Sequence, residues 1–240
     1  MHRFSRSELL IGSDGLKILS QSSIAVFGLG GVGSFAVEAL ARAGIGSLFL
    51  VDHDTVDLTN INRQIHAFTD TVGKAKTDLM AQRINRINPE AAVTTAKEFY
   101  TAKNGEKFFL NNFDYCIDAI DYIPGKLDMI TRCLTKKIPI ISAMGAANKL
   151  DPTKFKVADI SNTSVCPLAR KIRRELRKIG FTTGLKVVYS TEDSVTPLNN
   201  ANPEDTLEFR QVIGSISYVP PVMGLILAGT VVNDLLKAKS

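Results

Sequence analysis

A glycine-rich turn, an acid downstream of it and a cluster of amide and cationic side chains fall close together in the first third of the chain. Gly28, Gly30 and Gly33 complete a G-x-G-x-x-G pattern, with Gly31 inside it. Glycines at these places let the backbone turn tightly and bring N–H groups close to a phosphate, while the helix that follows adds its partial positive charge. Asp52 ends the next apolar run, about 20 positions on, where a carboxylate can accept hydrogen bonds from a ribose. Together these residues imply an adenine nucleotide.

What is done with that nucleotide depends on the polar residues beyond the turn. Asp54, Asn60, Arg63, Gln64 and Lys76 follow Asp52, and Asp121 closes a later apolar run, "FDYCIDAID". Hydride transfer needs an apolar slot for nicotinamide and no cations beyond the diphosphate. Nucleotidyl transfer expels pyrophosphate and must neutralise charge growing on the leaving oxygens, a task for Arg63 and Lys76. Lys76 stands in the first turn of its expected helix, where a cation opposes the helix dipole, so a phosphate contact explains its place. Asp121 is an oxygen ligand suited to Mg²⁺ bridging phosphates. The plainer alternatives are a solvated lysine, a loop braced by amide hydrogen bonds around Arg63, and a carboxylate capping the next helix. An NAD-dependent oxidoreductase and a non-catalytic nucleotide-binding module stay open on the turn and Asp52 alone.

The elements that must hold these residues alternate. Strands are expected at residues 24–27, 48–51, 93–99, 113–121 and 138–143, with helices from 34, from about 73 to a stop at Pro89, and at 127–134. Alternation of this kind predicts an α/β fold with a Rossmann-like doubly wound, mostly parallel sheet and a ligand at its carboxyl edge. Beyond residue 145 the rhythm changes: an extended stretch, a basic helix, a strand at 185–190, a polar loop from 192 to about 211, a strand at 213–219 and a helix at 222–236. The expected division is an adenylation core over residues 1–145 and a smaller α+β extension over 146–240 that completes the same domain.

The chain has 240 residues, 29 Lys and Arg against 24 Asp and Glu, and three cysteines with no C-x-x-C pair. That length supports a core without staples. The cysteine pattern excludes a cysteine-rich zinc knuckle and points to a reducing cytoplasm. Cys116 and Cys133 read as core. Cys166 precedes Pro167 at a helix start, as a packing residue or a reactive thiol. The apolar stretch 219–232 is short and interrupted by Gly and Pro, which argues against membrane insertion. The modest positive excess gathers in "ARKIRRELRKIG", where Arg170, Lys171, Arg173, Arg174 and Arg177 surround Ile172 and Leu176. This is a solvated helix face or a contact for nucleic-acid phosphates.

The segments "GLGGVG", "VDHDTVDLTNINRQ", "VGKAK" and "DAID" resemble the ubiquitin-activating-type adenylating superfamily, over residues 3 to about 145. The resemblance implies that the glycine turn and Asp52 bind ATP, and that Asn60, Arg63, Gln64, Lys76 and Asp121 match phosphate, nucleotide and magnesium positions. It also implies a homodimer, since Arg6 matches an arginine that crosses to the partner's ATP. Sulfur-carrier activators of this superfamily commonly hold zinc in two C-x-x-C pairs, which are absent here. That departure argues against a ubiquitin-like substrate, although an adenylyltransferase for a sulfur-carrier protein remains the nearest rival. "GAANKLDPTKFKVADISNTSVCPLARKIRREL", "LKVVYSTE" and "GSISYVPPVMGLILAG" are similar to the tRNA threonylcarbamoyladenosine dehydratase branch. Its members use ATP to cyclise a threonylcarbamoyl side chain on the adenosine 3′ of a tRNA anticodon. The branch also suggests a monovalent cation (K⁺ or Na⁺) near the 148–152 and 163–167 loops, and cysteine-desulfurase or sulfur-acceptor partners.

Overall fold

The computed structural model describes residues 1–196 and 213–238. The polar loop expected from 192 to about 211 lies outside the described residues from 197 onward. In chain order the elements are α1 (Ser5–Ser20), β1 (Ser23–Phe27), α2 (Gly33–Ala43), β2 (Ser47–Val51), α3 (Lys76–Ile87), β3 (Ala92–Ala96), α4 (Gly105–Phe108), β4 (Tyr115–Asp118), α5 (Ile123–Lys136), β5 (Ile140–Ala143), β6 (Phe155–Asp159), α6 (Pro167–Lys178), β7 (Lys186–Ser190) and α7 (Val219–Ala238), with short 3₁₀ turns between some of them. The strands form one sheet in the order β3-β2-β1-β4-β5-β7-β6. All neighbours pair in parallel except β6, which runs antiparallel to β7 at the edge. The strand order reverses between β1 and β4, and ligands of such sheets sit in the crevice outside that point.

Most residues of the central strands are apolar, and successive ones face opposite cores. Ile24 and Val26 face one core with Val37, Leu40, Met80, Ile84 and Leu227. Ala25 and Phe27 face the other with Met129, Ile130, Ile172 and Leu176. Both faces of a parallel sheet are covered by helices, so the usual polar half of the strand pattern disappears. The sheet is continuous across residue 145, because β7 pairs with β5.

Four expectations are corrected. β4 stops at Asp118 rather than running to 121, because the Asp118 carboxylate turns back to accept the Ile120 N–H at 3.1 Å. Helix α3 begins at Lys76, not near 73, since Gly73 sits at φ +84. Residues 213–218 form no strand. They bridge instead to Asn148, whose Oδ1 accepts the Gly214 N–H at 2.7 Å, and to Asn62, which donates to the Ser215 carbonyl at 2.9 Å. Helix α7 starts at Val219, with Pro220 and Pro221 in its first turn, where missing N–H groups cost nothing. It has 20 residues, enough by length to cross a membrane. Its packing makes it a core helix: a Cβ on Gly224 would meet the Val32 carbonyl oxygen at 2.2 Å, so α7 lies almost backbone to backbone on the start of α2. Helix α1 has no counterpart in the sequence reading.

Candidate nucleotide site at the carboxyl edge

The glycine turn is shaped by two kinds of glycine. Gly28 has φ +87, and a Cβ there would meet the Ala119 carbonyl oxygen at 2.6 Å; at Gly33 it would lie 1.8 Å from the Gly28 oxygen. These two let β1, β4 and α2 converge. Gly30 is different. A Cβ there would find only the Gln64 amide nitrogen, at 3.9 Å. The fold does not need that glycine, so the open space in front of it is kept for something else. Among the described residues the N–H groups of Gly30, Gly31 and Val32 make no hydrogen bond. Unused amides at a helix N-terminus form an anion cradle.

Three loops close around the cradle. Asp52, at the end of β2, accepts the Leu29 N–H at 2.6 Å on Oδ2 and the Asp54 N–H at 2.8 Å on Oδ1. Its carboxylate thus ties the second strand to the turn. Asn60 is buried and braces its own 3₁₀ turn through a capping box with Asp57. Arg63 lays its stem over Gly31, whose Cβ would come within 3.2 Å of the arginine Cγ. Its guanidinium donates to the Thr59 carbonyl and to Asn62 Oδ1, both at 2.9 Å. Gln64 is 6% exposed, and its Oε1 is buried with no partner. An orphaned buried acceptor of this kind costs about 1–3 kcal/mol, which a ligand donor would recover. From the far side Pro220, at the start of α7, packs over Gly31.

Lys76 is 5% exposed, and its Nζ lies 2.7 Å from Asp54 Oδ2, while the Asp54 side chain is 47% exposed. It is therefore not a solvated lysine. The loop around Arg63 is braced by the Thr59 carbonyl and the Asn62 amide, as the plain reading of that loop expects, and it lies against the cradle at Gly31. Asp121 is exposed and, among the described residues, makes no side-chain hydrogen bond. Helix α5 begins without a side-chain cap, so the capping alternative for Asp121 falls. The oxygens of Asp52 and Asp54 and the His53 ring lie within 4.8 Å of one another. The first two are already engaged by amides and Lys76.

Four buried polar groups escaped the sequence reading. Asp118, Lys126 and Ser142 are completely buried below the site. Lys126 Nζ lies 2.7 Å from Asp118 Oδ2 and donates to the Ala143 carbonyl at 3.0 Å, while Ser142 Oγ donates to Asp118 at 2.5 Å. A lysine on the buried side of an amphipathic helix, beside Met129 and Ile130, was the signal available. His66 is 3% exposed, and neither ring nitrogen has a partner.

Burial, with Lys76 and Arg83 nearby, pulls the His66 imidazole down from 6.5 to about 4. The folded chain favours the neutral ring, so this contribution to stability is complete above pH 6.5 and is lost as the pH falls from 6.5 toward 4. Urea unfolding should show a slope of up to about 1.4 kcal/mol per pH unit in that window. His66→Gln should remove it; an unchanged slope would assign the titration elsewhere.

Helix α6 matches its expectation in extent and in its buried Ile172 and Leu176. Its cations divide. Arg173 is turned inward, donating to the Thr163 carbonyl at 2.8 Å and Thr163 Oγ1 at 2.6 Å. Arg174 pairs with Glu175. Arg170, Lys171 and Arg177 are exposed and, among the described residues, have no side-chain partner. Cys116 and Cys133 are core, as expected, and Cys166 is 3% exposed, which fits packing. Arg6 is exposed on α1, apart from any side-chain partner among the described residues.

A parallel sheet with a glycine cradle at its switch point, an acid at the end of β2 and a buried lysine beside it define a nucleotide-binding α/β protein. The profile of the ThiF family matches residues 4–240, and the chain belongs to that family. It is 49% identical over 243 residues to tRNA threonylcarbamoyladenosine dehydratase of Bacillus subtilis, covering 99% of this chain and 96% of the relative. The crystal structure of the Escherichia coli tRNA N6-threonylcarbamoyladenosine dehydratase in complex with ATP superposes with a TM-score of 0.89, at 36% identity, covering 99% of this chain and 95% of that one. Likeness to the E. coli molybdopterin-synthase adenylyltransferase is narrower: 33% identity over 63% of this chain and 60% of the relative.

Glycine substitutions separate the fold from the cradle. Gly33→Ala is expected to unfold the chain or lower its melting temperature by many degrees, since its Cβ would overlap the Gly28 oxygen. Gly30→Ala is expected to fold normally and lose about tenfold or more in ATP affinity. Calorimetry and thermal melts on the two variants check this; equal melting losses would remove the distinction.

Proposed function

We propose that this chain is an ATP-dependent tRNA threonylcarbamoyladenosine dehydratase. The observation that carries the reading is the extent of the likeness. Identity to the dehydratases runs through both halves, whereas likeness to a sulfur-carrier-type activator covers only 63% of the chain. The second half also builds the site, through Ser215 against Asn62 and Pro220 over Gly31.

ATP, as substrate, lies with its phosphates on the Gly30–Gly31 amides and its ribose at Asp52, which would exchange the Leu29 amide for a ribose hydroxyl. Gln64 supplies its unpartnered Oε1 to the nucleotide. The free carboxylate of the threonylcarbamoyl group attacks the α-phosphorus, and the bond to the pyrophosphate oxygen breaks. Arg63 and Lys76 neutralise the charge growing on the leaving group. A nitrogen or oxygen of the same side chain then attacks the acyl carbon, and AMP leaves with one carboxylate oxygen. The ring closes with the net loss of one water from the tRNA, and positioning with electrostatics suffices without a protein nucleophile. Mg²⁺ would be held by the free carboxylate of Asp121 and would offset phosphate charge.

Several partners belong to the same proposal. A homodimer places Arg6 of one copy at its partner's ATP; the exposed Leu9 and Leu10 on the same helix, 78% and 87% accessible, offer the apolar face such a contact covers. Arg170, Lys171 and Arg177 bind tRNA phosphates, and charge reversal at Arg170 and Arg177 should weaken tRNA binding in a salt-dependent way, with ATP affinity unchanged. Residence in the cytoplasm, a K⁺ or Na⁺ ion near residues 148–152, and cysteine-desulfurase or sulfur-acceptor partners complete it. The deciding experiment incubates the chain with ATP, Mg²⁺ and tRNA carrying threonylcarbamoyladenosine, and reads the nucleoside mass. Loss of one water with AMP release is expected, and Asp121→Ala should abolish it. ATP binding without any mass change would sink the dehydratase reading.

A further inference from the structure

A groove of about 780 Å³ runs beside α3 on the face of the sheet opposite α6. Arg3, Arg42, Lys74, Arg83 and Arg86 line it, against a single lining carboxylate, Asp70. Arg42 and Arg83 share one further carboxylate below, Glu38, at 2.7 and 2.5 Å. Burial pushes the Glu38 carboxyl up, and hydrogen bonds from Arg83 and Arg42 outweigh it and hold it ionised. Each guanidinium has five N–H donors. Most of theirs are left without a protein acceptor among the described residues. Lys74 and Arg86 are exposed and have no side-chain partner there.

Two further observations point to a ligand. His66 lines the groove, is 97% buried, and has two unpartnered ring nitrogens. Leaving both unsatisfied is costly unless a polar group arrives. Phe68, also lining, is 52% exposed. A cationic track with an exposed aromatic ring is the arrangement that binds single-stranded nucleic acid, with phosphates on the cations and a base on the ring. The track is long enough, since the 12 residues of α3 rise about 18 Å. It also begins in the right place. Thr71 and Lys74 line it only a few residues ahead of Lys76, whose buried ammonium belongs to the nucleotide site.

We propose that this groove is a second phosphate-binding site, which lodges the single-stranded nucleotides flanking the reacting adenosine of the RNA substrate. The inference rests on the dehydratase reading for the identity of the RNA, but its test does not need turnover. Affinities for tRNA and for a short single-stranded RNA are measured over a salt series, with the wild type, the double variant Lys74→Glu/Arg86→Glu, and Phe68→Ala. The double variant should lose about tenfold or more in affinity at low salt for both RNAs, and its salt slope should shrink by about 2. Phe68→Ala should lose about fivefold or more with the slope unchanged. ATP affinity, unchanged in all three, verifies the fold.

Wild-type affinity and slope in both variants would overturn the assignment. So would displacement of RNA from the groove by inorganic phosphate at low concentration, which would make a small phosphate ester the occupant. Dissociation of a wild-type dimer by the double reversal, with RNA affinity intact, would give the groove to a subunit contact. A wild type that binds RNA through the groove yet removes no water would strike the dehydratase reading and leave the groove standing.

Discussion

Replacing Lys76 by alanine is expected to cut ATP-dependent AMP formation by about 10²- to 10³-fold and to leave the fold intact. Lys76 is 5% exposed, while the carboxylate it faces, on Asp54, is 47% exposed. An ion pair with one partner half in water contributes about 1 kcal/mol or less to stability. Burying an ammonium costs more than that, so stability does not explain why it is buried there. The proposed function accounts for it by preorganisation. The lysine is fixed at the first turn of α3, where its backbone N–H also bonds the Asp54 carbonyl at 3.1 Å, and a departing pyrophosphate would meet a charge that needs no rearrangement. Release of pyrophosphate, followed with saturating ATP and tRNA, measures the effect. A melting temperature within a few degrees of wild type and a collapsed rate would support this account; full turnover would end it. Arg63→Ala should fall on the same scale, because its stem already lies over Gly31.

The sequence was most legible where one residue type answers one physical demand. Gly28 and Gly33 had to be glycine for steric reasons, Asp52 ends its strand, and the alternation of strands and helices gave the sheet. Boundaries failed where a side chain redirected the backbone. Asp118 and Asp121 are both acids on one apolar run, and the strand ends at the first, whose carboxylate is held by the buried Lys126 and turns back to the Ile120 N–H. Residues 213–219 look like a strand by composition, yet the two prolines and the hydrogen bonds to Asn148 and Asn62 make them a brace and a helix start. Helix α1 was missed because Gly12, at φ +70, interrupts its pattern, and because its apolar Leu9 and Leu10 stay exposed in a single copy. The α6 cations show the limit of charge counting. Arg173 and Arg177 are alike in sequence, and only the position of Thr163 turns one of them inward.

A large stability effect is also expected at Lys126. With Lys126→Met, the fully buried Asp118 carboxylate keeps only the Ser142 hydroxyl and the Ile120 N–H as partners. Stranding a buried charge in this way costs about 3–5 kcal/mol. For a chain of this size that lowers the melting temperature by about 6–20 °C. Adding Asp118→Leu should recover much of the loss, because an apolar pair of similar volume often replaces a buried ion pair at little cost. Activity should not recover with it. Asp118 Oδ1 accepts the Ile120 N–H and so sets the path of the chain from β4 to Asp121, while Lys126 pins the end of β5 through the Ala143 carbonyl. The double variant should therefore melt near the wild type and still form AMP slowly, with the deficit in turnover and its Mg²⁺ dependence rather than in ATP affinity. Recovery of rate together with stability would mean that the buried triad only holds the fold, and that Asp121 is placed by the loop itself.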